Sequence, residues 1–497
     1  MRSLRGNHVY DSIIIGAGLS GLCAAKYLKK SGFSNILVLE AQDRVGGRTY
    51  TKHSSKVSWV DLGASYIGPN QHNILRLAEE LGVKTYKVFS DGKIVDVYQN
   101  ERVVHDYDGI AYGVENENQN DFKCFMDKID KMGKEACNVQ DICTEEPWMS
   151  LNAKQWDQMT WKEFVENNCS KCDEDLYLKI ILNCDTFYRR TRELALGITK
   201  DLFCASAHEL SLLFVVWYIK MGGGTKCILS NDNGAQDSKF EGGSQQLSER
   251  MVDILGTKRV LTSKVVHSIE QSRYSVRVIT SDGCKYKSRT VIIAFPPCLQ
   301  TKIHYEPALP VLRTKMLQRF PMGSVLKCVL YYENAFWKEK GFCGAATVDS
   351  LHNYLRIIYD DTKSDGSHPA FIVAEKCREI SEKSEEKRKL LICQNLSQVF
   401  DSQNALWPVH YEEYNWDNNE YSAGGYTAFG APGVLTQFGA VLSKPVHRLF
   451  FAGTETATQW FGYMDGAVQS GERAACQVIR ALTTNHYDTQ QTPIIKP

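Results

Sequence analysis

The stretch DSIIIGAGLSGLCAAKYLKKSGFSNILVLEAQDRVGGR, Asp11 to Arg48, decides the fold. Ser12 to Ile15 is a short β-branched strand pattern that leads directly into Gly16-x-Gly18-x-x-Gly21. A helical pattern follows through Leu22, Ala25 and Leu28, then a turn at Ser31-Gly32 and a second apolar strand ending in Glu40. Each glycine has a task. Gly16 permits the tight turn, Gly18 lets backbone approach a pyrophosphate, and Gly21 lets helix and strand pack closely. The first helical turn aims its N–H groups and positive dipole end at the phosphates. Glu40 falls nineteen residues after Gly21, where a carboxylate can take both ribose hydroxyls of an adenosine and disfavours a 2′-phosphate. Strand, glycine turn, helix and acid in that order point to dinucleotide binding, with NAD or FAD rather than NADP as the ligand.

Beyond Glu40, the run Ala41 to Thr49 places Arg44, Gly46, Gly47 and Arg48 just past the ribose-binding strand. Arginines there can neutralise a pyrophosphate, and glycines let the chain pass close to a bulky ligand. A solvated basic turn is the blander reading of this run alone. Asp61 to Pro69 is rich in small residues, which can lie against a flat ring system without steric conflict. Farther on, Ser422-Ala-Gly-Gly425-Tyr426-Thr precedes Phe451-Ala-Gly-Thr-Glu455-Thr-Ala-Thr and then Gly462-Tyr463-Met464. Taken together these runs resemble the flavin monoamine oxidase family, from Ile13 to roughly Leu482.

The pattern order and the resemblance imply an α/β protein. An FAD-binding, Rossmann-like (GR2-type) domain would be built from residues 1–85, 241–316 and 419–481. It would interleave with an α+β substrate-binding domain from 86–240 and 317–418, ahead of a polar tail at 482–497. The resemblance implies FAD held by Gly16, Gly18, Gly21, Glu40, Arg44, Gly47 and Arg48, with Gly63, Ala64 and Ser65 along the flavin. Val265 would hold the adenine end, and Trp416, Gly425, Glu455 and Met464 would complete the cofactor set. Tyr426 and Tyr463 would sandwich the amine before the flavin, with Tyr66 and Gln236 reaching the substrate cavity. Lys327 would reach the flavin through a water and assist dioxygen. The implied reaction is oxidative deamination of primary aryl-alkyl monoamines with O2 to aldehyde, ammonia and hydrogen peroxide. Alternatives are a polyamine or L-amino acid oxidase of the same superfamily, or a flavin-binding scaffold whose catalysis has decayed.

One departure bears on the cofactor. The family attaches FAD through a cysteine immediately before the first cage tyrosine, and that place here is Gly425. A glycine forms no thioether, so non-covalent FAD is expected. The family's C-terminal membrane span is also not expected, because the longest apolar run, Leu210 to Ile219, is ten residues where a span needs about 20. That run reads as a buried helix.

Some residues speak without the resemblance. Lys327 stands alone in the apolar strand pattern Val325 to Tyr332; a buried lysine is costly unless paired or used, and burial lowers its pKa. A strand end facing solvent is the alternative. Helical patterns with charged faces at Lys123–Ala136, Trp161–Asn167 and Leu176–Asn183 replace the βαβ rhythm between about 86 and 240. The basic run from Tyr188 through Arg192 reads as a solvated helix face. Strands near Val260, at Val265–Ile269 and at Thr290–Ala294 resume the first domain, with Tyr274, Val276 and Val278 expected on one strand face.

With 497 residues the chain should form two or more cores, since single cores stop growing near ~250–300 residues. Zero formal net charge and a pI near 7.1 give no global electrostatic case for nucleic acid or an anionic membrane. The first strand begins too early for a signal peptide ahead of it. Sixteen cysteines without a framework spacing argue for reduced thiols and a soluble, cytoplasmic protein. Cys169-x-x-Cys172 has no second pair at zinc-site spacing, so no metal is expected. The expected partners are a small amine and O2, with a homodimer compatible with the interleaved fold.

Overall fold

The computed structural model describes residues 8–98, 101–107, 118–136, 146–169, 184–349, 355–364, 370–375, 380–484 and 487. Its first layer grows from the strand Val9–Ile15, whose last four residues are buried. It pairs in parallel with Ile36–Leu39 on one side and with Lys285–Ile293 on the other, Ile13 facing Val291. Strands buried on both faces need continuous apolar runs, and Ile13–Ile15, Ile36–Leu39 and Val291–Ile293 supply them. The eight-stranded sheet runs Val260–Leu261, Ile36–Leu39, Val9–Ile15, Lys285–Ile293, Val276–Thr280, Val266–Gln271 and His304–Glu306. Leu449–Phe451 pairs off this path in parallel with Lys285–Ile293. Residues more than four hundred positions apart thus share one sheet. Helices Leu19–Lys30 and Met464–Thr484 pack together over it. Their contact is close enough that a Cβ on Gly471 would lie 2.2 Å from the Ser20 carbonyl oxygen.

A second, seven-stranded sheet has the order His410–Asn415, Leu326–Tyr331, Ala370–Glu375, Leu355–Asp360, Phe342–Asp349, Lys93–Tyr98 and Glu101–Asp106. Every residue of Leu326–Tyr331 is buried, so Lys327 is an interior lysine and not a strand end facing solvent. Helices Asn118–Ala136, Trp161–Asn168, Cys184–Phe203 and Leu212–Met221 form the helical region expected between the strands. Leu212–Met221 is buried at nine of its ten positions. Its first turn is capped by Ser211 Oγ, which accepts from Phe214 N at 3.0 Å. Among the described residues no helix is long and apolar enough to cross a membrane.

The structure corrects one strand. Tyr274 does not share the face of Val276 and Val278. The strand starts at Val276, and Tyr274 is 76% exposed in a turn whose Ser272 Oγ accepts from Tyr274 N and Ser275 N at 3.3 and 3.1 Å. The serine offers the backbone a partner that the strand ladder would otherwise have claimed. Helix Leu176–Asn183, Cys172 and the side chains of Tyr188–Arg190 lie outside the described residues.

The turn after the first strand is tight. A Cβ on Gly21 would lie 2.0 Å from the Gly16 carbonyl oxygen and 3.2 Å from Ala294 Cβ. Gly21→Ala should therefore force helix and turn apart, lowering stability by ~1–3 kcal/mol. The purified variant should also carry less than one flavin per chain, checked by denaturant unfolding and by flavin absorbance against protein.

Candidate active site

A cavity of about 510 Å³ runs from the glycine turn of the first sheet to the buried face of the second. At its first end Gly16 has φ +104°, and a Cβ there would sit 2.7 Å from the Ala294 carbonyl oxygen. Gly18 caps helix Leu19–Lys30 without any side-chain acceptor, so the helix N-terminus is open where Gly18, Leu19 and Ser20 line the cavity. Glu40 follows its strand, accepting from Ala17 N at 2.6 Å and Gln42 N at 2.9 Å. Burial pushes its carboxyl up, against the pull of those two donors. Val265 lines the same end.

The two arginines of the second motif divide their work. Arg44 does not line the cavity. Its guanidinium donates to the carbonyls of Val45, Gly47 and Thr49 at 3.0–3.4 Å and lies 4.2 Å over the Tyr50 ring, bracing the loop. Arg48 lines the cavity with Gly47. It holds Glu455 by a bidentate pair at 2.5 and 3.0 Å and donates to the Tyr426 carbonyl at 3.0 Å. Glu455 is fully buried behind it; despite burial, Arg48 holds that carboxyl below its ordinary range. Gly21 and Glu455, both expected as cofactor contacts, thus act one layer behind the cavity wall.

The middle of the cavity is walled by Gly63, Ala64 and Ser65, with Trp416, Gly425 and Met464. A Cβ on Gly63 would lie 2.2 Å from the Arg48 carbonyl oxygen, so the chain could not pass here with a larger residue. The Trp416 indole donates to the Leu62 carbonyl at 3.0 Å. Lys327 reaches across from the second sheet and donates to the Gly63 carbonyl at 2.8 Å and Ser65 Oγ at 2.7 Å. Behind it Lys239 is ion-paired with Asp361, and Lys363 stands 3.8 Å from the same carboxylate. Burial first, then the charge of Lys239, pushes the Lys327 ammonium down to about 7.

Tyr426 and Tyr463 both line the cavity. Tyr426 presents 42% of its surface although it lies deep in the chain, because that surface is cavity wall. The Gly425–Tyr426 peptide is cis. The Tyr463 and Tyr218 rings are 6.1 Å apart. Burial pushes both cage phenols up, so both are protonated at neutral pH. Tyr66 and Gln236 line the cavity too; Tyr66 Oη and Gln236 Oε1 are buried and have no hydrogen-bond partner. Polar atoms in that state call for a ligand or water.

The residues present fit a flavin dinucleotide: a side-chain-free glycine cradle, an open helix N-terminus, an acid after the second strand and a small-residue wall. Residues 19–479 match the family model described as "Flavin containing amine oxidoreductase". The chain belongs to this family. A flavin-containing amine oxidase of Oncorhynchus mykiss is 43% identical over 487 residues, 96% of this chain and 87% of that protein. The human flavin-containing amine oxidase B is 42% identical over 483 residues, 95% and 86% of the two chains. Among solved structures, cyclohexylamine oxidase from Brevibacterium oxydans superposes with a TM-score of 0.86 at 28% identity over 96% of this chain and all of that one. Putrescine oxidase bound to putrescine gives 0.85 at 28% identity over 95% and 99%. This flavin-containing amine oxidase therefore binds FAD and oxidises amines.

Sequence reading did not single out Asp201, Cys204, Tyr218, Ile357 or Tyr359 around this cavity. A tyrosine inside the apolar run Leu212–Ile219 was a usable signal for Tyr218. Asp201 follows a lysine at a helix end, where acids ordinarily face water, so nothing local marked it.

The Lys327 shift has a stability consequence of definite sign. Its folded value near 7 lies below the ordinary 10.5, so the unfolded chain holds the extra proton between those limits and stability rises with pH across them. Denaturant unfolding at pH 7 and pH 9 should show the wild type gaining ~1–2 kcal/mol over Lys327→Met. A difference that stays flat across this window would mean the ammonium stays charged.

Proposed function

We propose that this chain is an FAD-dependent monoamine oxidase whose substrates are primary aryl-alkyl amines, with Tyr426, Tyr463 and Lys327 as its catalytic residues. The observation that carries the reading is the placement of both tyrosines, protonated and neutral, on one cavity that Lys327 also lines. When bound, the flavin supplies a two-electron acceptor for the α C–H of the amine and returns those electrons to O2 as hydrogen peroxide. The chain holds and shapes the reactants.

In this reading Gly16, Gly18, Glu40, Gly47, Arg48 and Val265 hold the dinucleotide, and Gly63, Ala64, Ser65, Trp416, Gly425 and Met464 face its ring system. Gly21, Arg44 and Glu455 keep those residues in place. Aromatic faces of Tyr426 and Tyr463 orient the amine nitrogen through their quadrupoles. Tyr66 and the unpartnered oxygen of Gln236 complete the substrate wall. The neutral amine form of Lys327, accessible near pH 7, can hold a water by accepting its proton in a hydrogen bond, which an ammonium cannot do. The first domain is proposed from 1–85, 241–316 and 419–481, and the substrate domain from 86–240 and 317–418. No disulfide joins the described cysteines, which suits a reducing, cytoplasmic setting for the same protein.

The wall composition favours monoamines over the rivals. Its acids, Glu40, Asp201 and Glu420, are matched by Arg48, Lys264, Lys302 and Lys327, so it is not an acidic tunnel for polycations. Arg48 is the one arginine on the described wall and is already bound to Glu455, which leaves none to take an amino acid carboxylate.

Anaerobic mixing with benzylamine, tyramine, spermine and an L-amino acid tests this directly. Bleaching of the flavin by the arylalkylamines, with peroxide on readmitting air, is expected; bleaching by spermine or the amino acid alone would replace the substrate class. Attachment is tested separately. Acid precipitation should leave the flavin in the supernatant, since Gly425 offers no sulfur. Gly425→Cys should bind less FAD than the wild type, because its Cβ would meet Val325 Cγ1 at 2.8 Å, and its flavin content reads this.

A further inference from the structure

Behind Lys327 lies a buried polar cluster that neither flavin binding nor the tyrosine cage uses. Its frame is a small sheet of Tyr66–Ile67, Ser238–Phe240 and Thr85–Lys87, in which Lys239 faces Tyr66 on one neighbouring strand and Tyr86 on the other. The Lys239 ammonium lies 4.4 Å over the Tyr66 ring and is ion-paired with Asp361. Lys363 stands 3.8 Å from the same carboxylate, 3.7 Å over Trp59 and 5.6 Å over Tyr331. Trp59 meets Tyr86 edge-on, with ring centres 6.4 Å apart. Asp61 joins from the strand Ser58–Asp61, two residues before the Gly63 carbonyl that Lys327 holds. Lys239, Lys327, Asp61, Asp361 and Tyr331 are each less than a tenth exposed. Outside this ring stand Asp360, held by Trp337 and Lys338, and Glu412, paired with Lys52 and His410.

Four oxygens of the cluster are buried without a hydrogen-bond partner: Asp61 Oδ2 and the hydroxyls of Tyr66, Tyr86 and Tyr331. Asp61 Oδ1, by contrast, accepts from Thr51 Oγ1 at 2.6 Å and from Ser244 N at 3.1 Å. One oxygen of the carboxylate is thus anchored and the other keeps its full capacity. Unsatisfied buried groups of this kind are costly, and ordered water, bonding two to four of them, is the usual remedy. Lys327 has a position to match. An ammonium has three donors, and the Gly63 carbonyl and Ser65 Oγ take two. The third is where the group gains or loses its proton. Burial pushes Lys327 and Asp61 toward their neutral forms, down and up respectively, and their mutual attraction opposes it. The charged and the neutral states of the two are therefore close in free energy.

We propose that this cluster holds ordered water and that the water links Lys327 to Asp61, which takes the proton of the lysine and returns it. An N–H bond of the Lys327 ammonium breaks and an O–H bond forms on Asp61 Oδ2. The ammonium and carboxylate become an amine and a carboxylic acid; no electron moves and no other reactant is needed. Asp61 is not on the cavity wall and acts through Lys327, as a positioning residue. This goes beyond the proposed function, and only the use made of the amine rests on it.

A crystal structure of the wild-type holoenzyme, at a resolution that shows water, tests the link. Ordered water joining Lys327 Nζ to Asp61 Oδ2 is expected; a cluster without water, or water that stops short of either atom, overturns the proposal. The proton exchange is read from the pH dependence of stability. Relative to Lys327→Met, the wild type gains stability as pH rises, from the pH at which folded Lys327 loses its proton. Comparison of D61N with D61N/K327M should place that onset about one pH unit lower, because the carboxylate that favoured the ammonium is gone. A role for Asp61 in packing alone would leave the onset where it was, and that result also overturns the proposal. If D61N does not fold, the crystal structure decides. Neither measurement uses an amine, so a holoenzyme that oxidised no arylalkylamine would remove the monoamine reading and leave this test intact.

Discussion

The constraint on which the rest of the structure depends is the burial of one amino group. Lys327 sits in a strand with no exposed residue, and its Nζ is satisfied only by the Gly63 carbonyl and Ser65 Oγ. Leaving such a group unpaired would cost several kcal/mol in a dry interior. The segment 63–65 must therefore lie against the second sheet, while on its other side residue 63 has no room for a side chain, because a Cβ there would meet the Arg48 carbonyl oxygen at 2.2 Å. That contact ties the small-residue wall 63–65 to the second sheet at the cavity, so the two are fixed together. The ion pair Arg48–Glu455 ties the same wall from the other side, linking the loop after the second strand to the turn after Phe451 and to the backbone of Tyr426.

The dinucleotide half was legible because its motif is local. Gly16, Gly18, Gly21 and Glu40 fall within one run of 25 residues, although the contact that fixes Gly16 comes from the distant Ala294 carbonyl and only Gly21 is held by a neighbour, Gly16. The same locality made the helix position close, with Leu22–Leu28 inside Leu19–Lys30. Lys327 was legible as an oddity in an apolar run, and burial proved to be its condition. Tyr426, Tyr463 and Gln236 were named only through resemblance, since a buried tyrosine in an isolated sequence is ordinary core.

What the sequence did not disclose depends on residues distant along the chain. Arg44 read like Arg48, yet its donors are consumed by three carbonyls of its own loop. Asp201 and Arg356 are paired across 155 positions, and each alone resembles a surface charge. Tyr274 followed the alternation of its strand, and Ser272, four residues before the strand's start, outcompeted it. Periodicity reports which face a residue would occupy if the element continued; it carries no information about where side-chain partners end the element.

The shared sheet carries a consequence for how the protein is made. Its strand Val9–Ile15 leaves the ribosome hundreds of residues before its neighbour Lys285–Ile293 and that strand's partner Leu449–Phe451. The helix beginning at Met464 closes the same cavity. Domains usually fold as units during synthesis. Here the nucleotide-binding half must wait, its apolar strands exposed, until the helix that begins at Met464 has been translated. The full cofactor cavity therefore exists only late in synthesis, and FAD cannot be captured in it earlier.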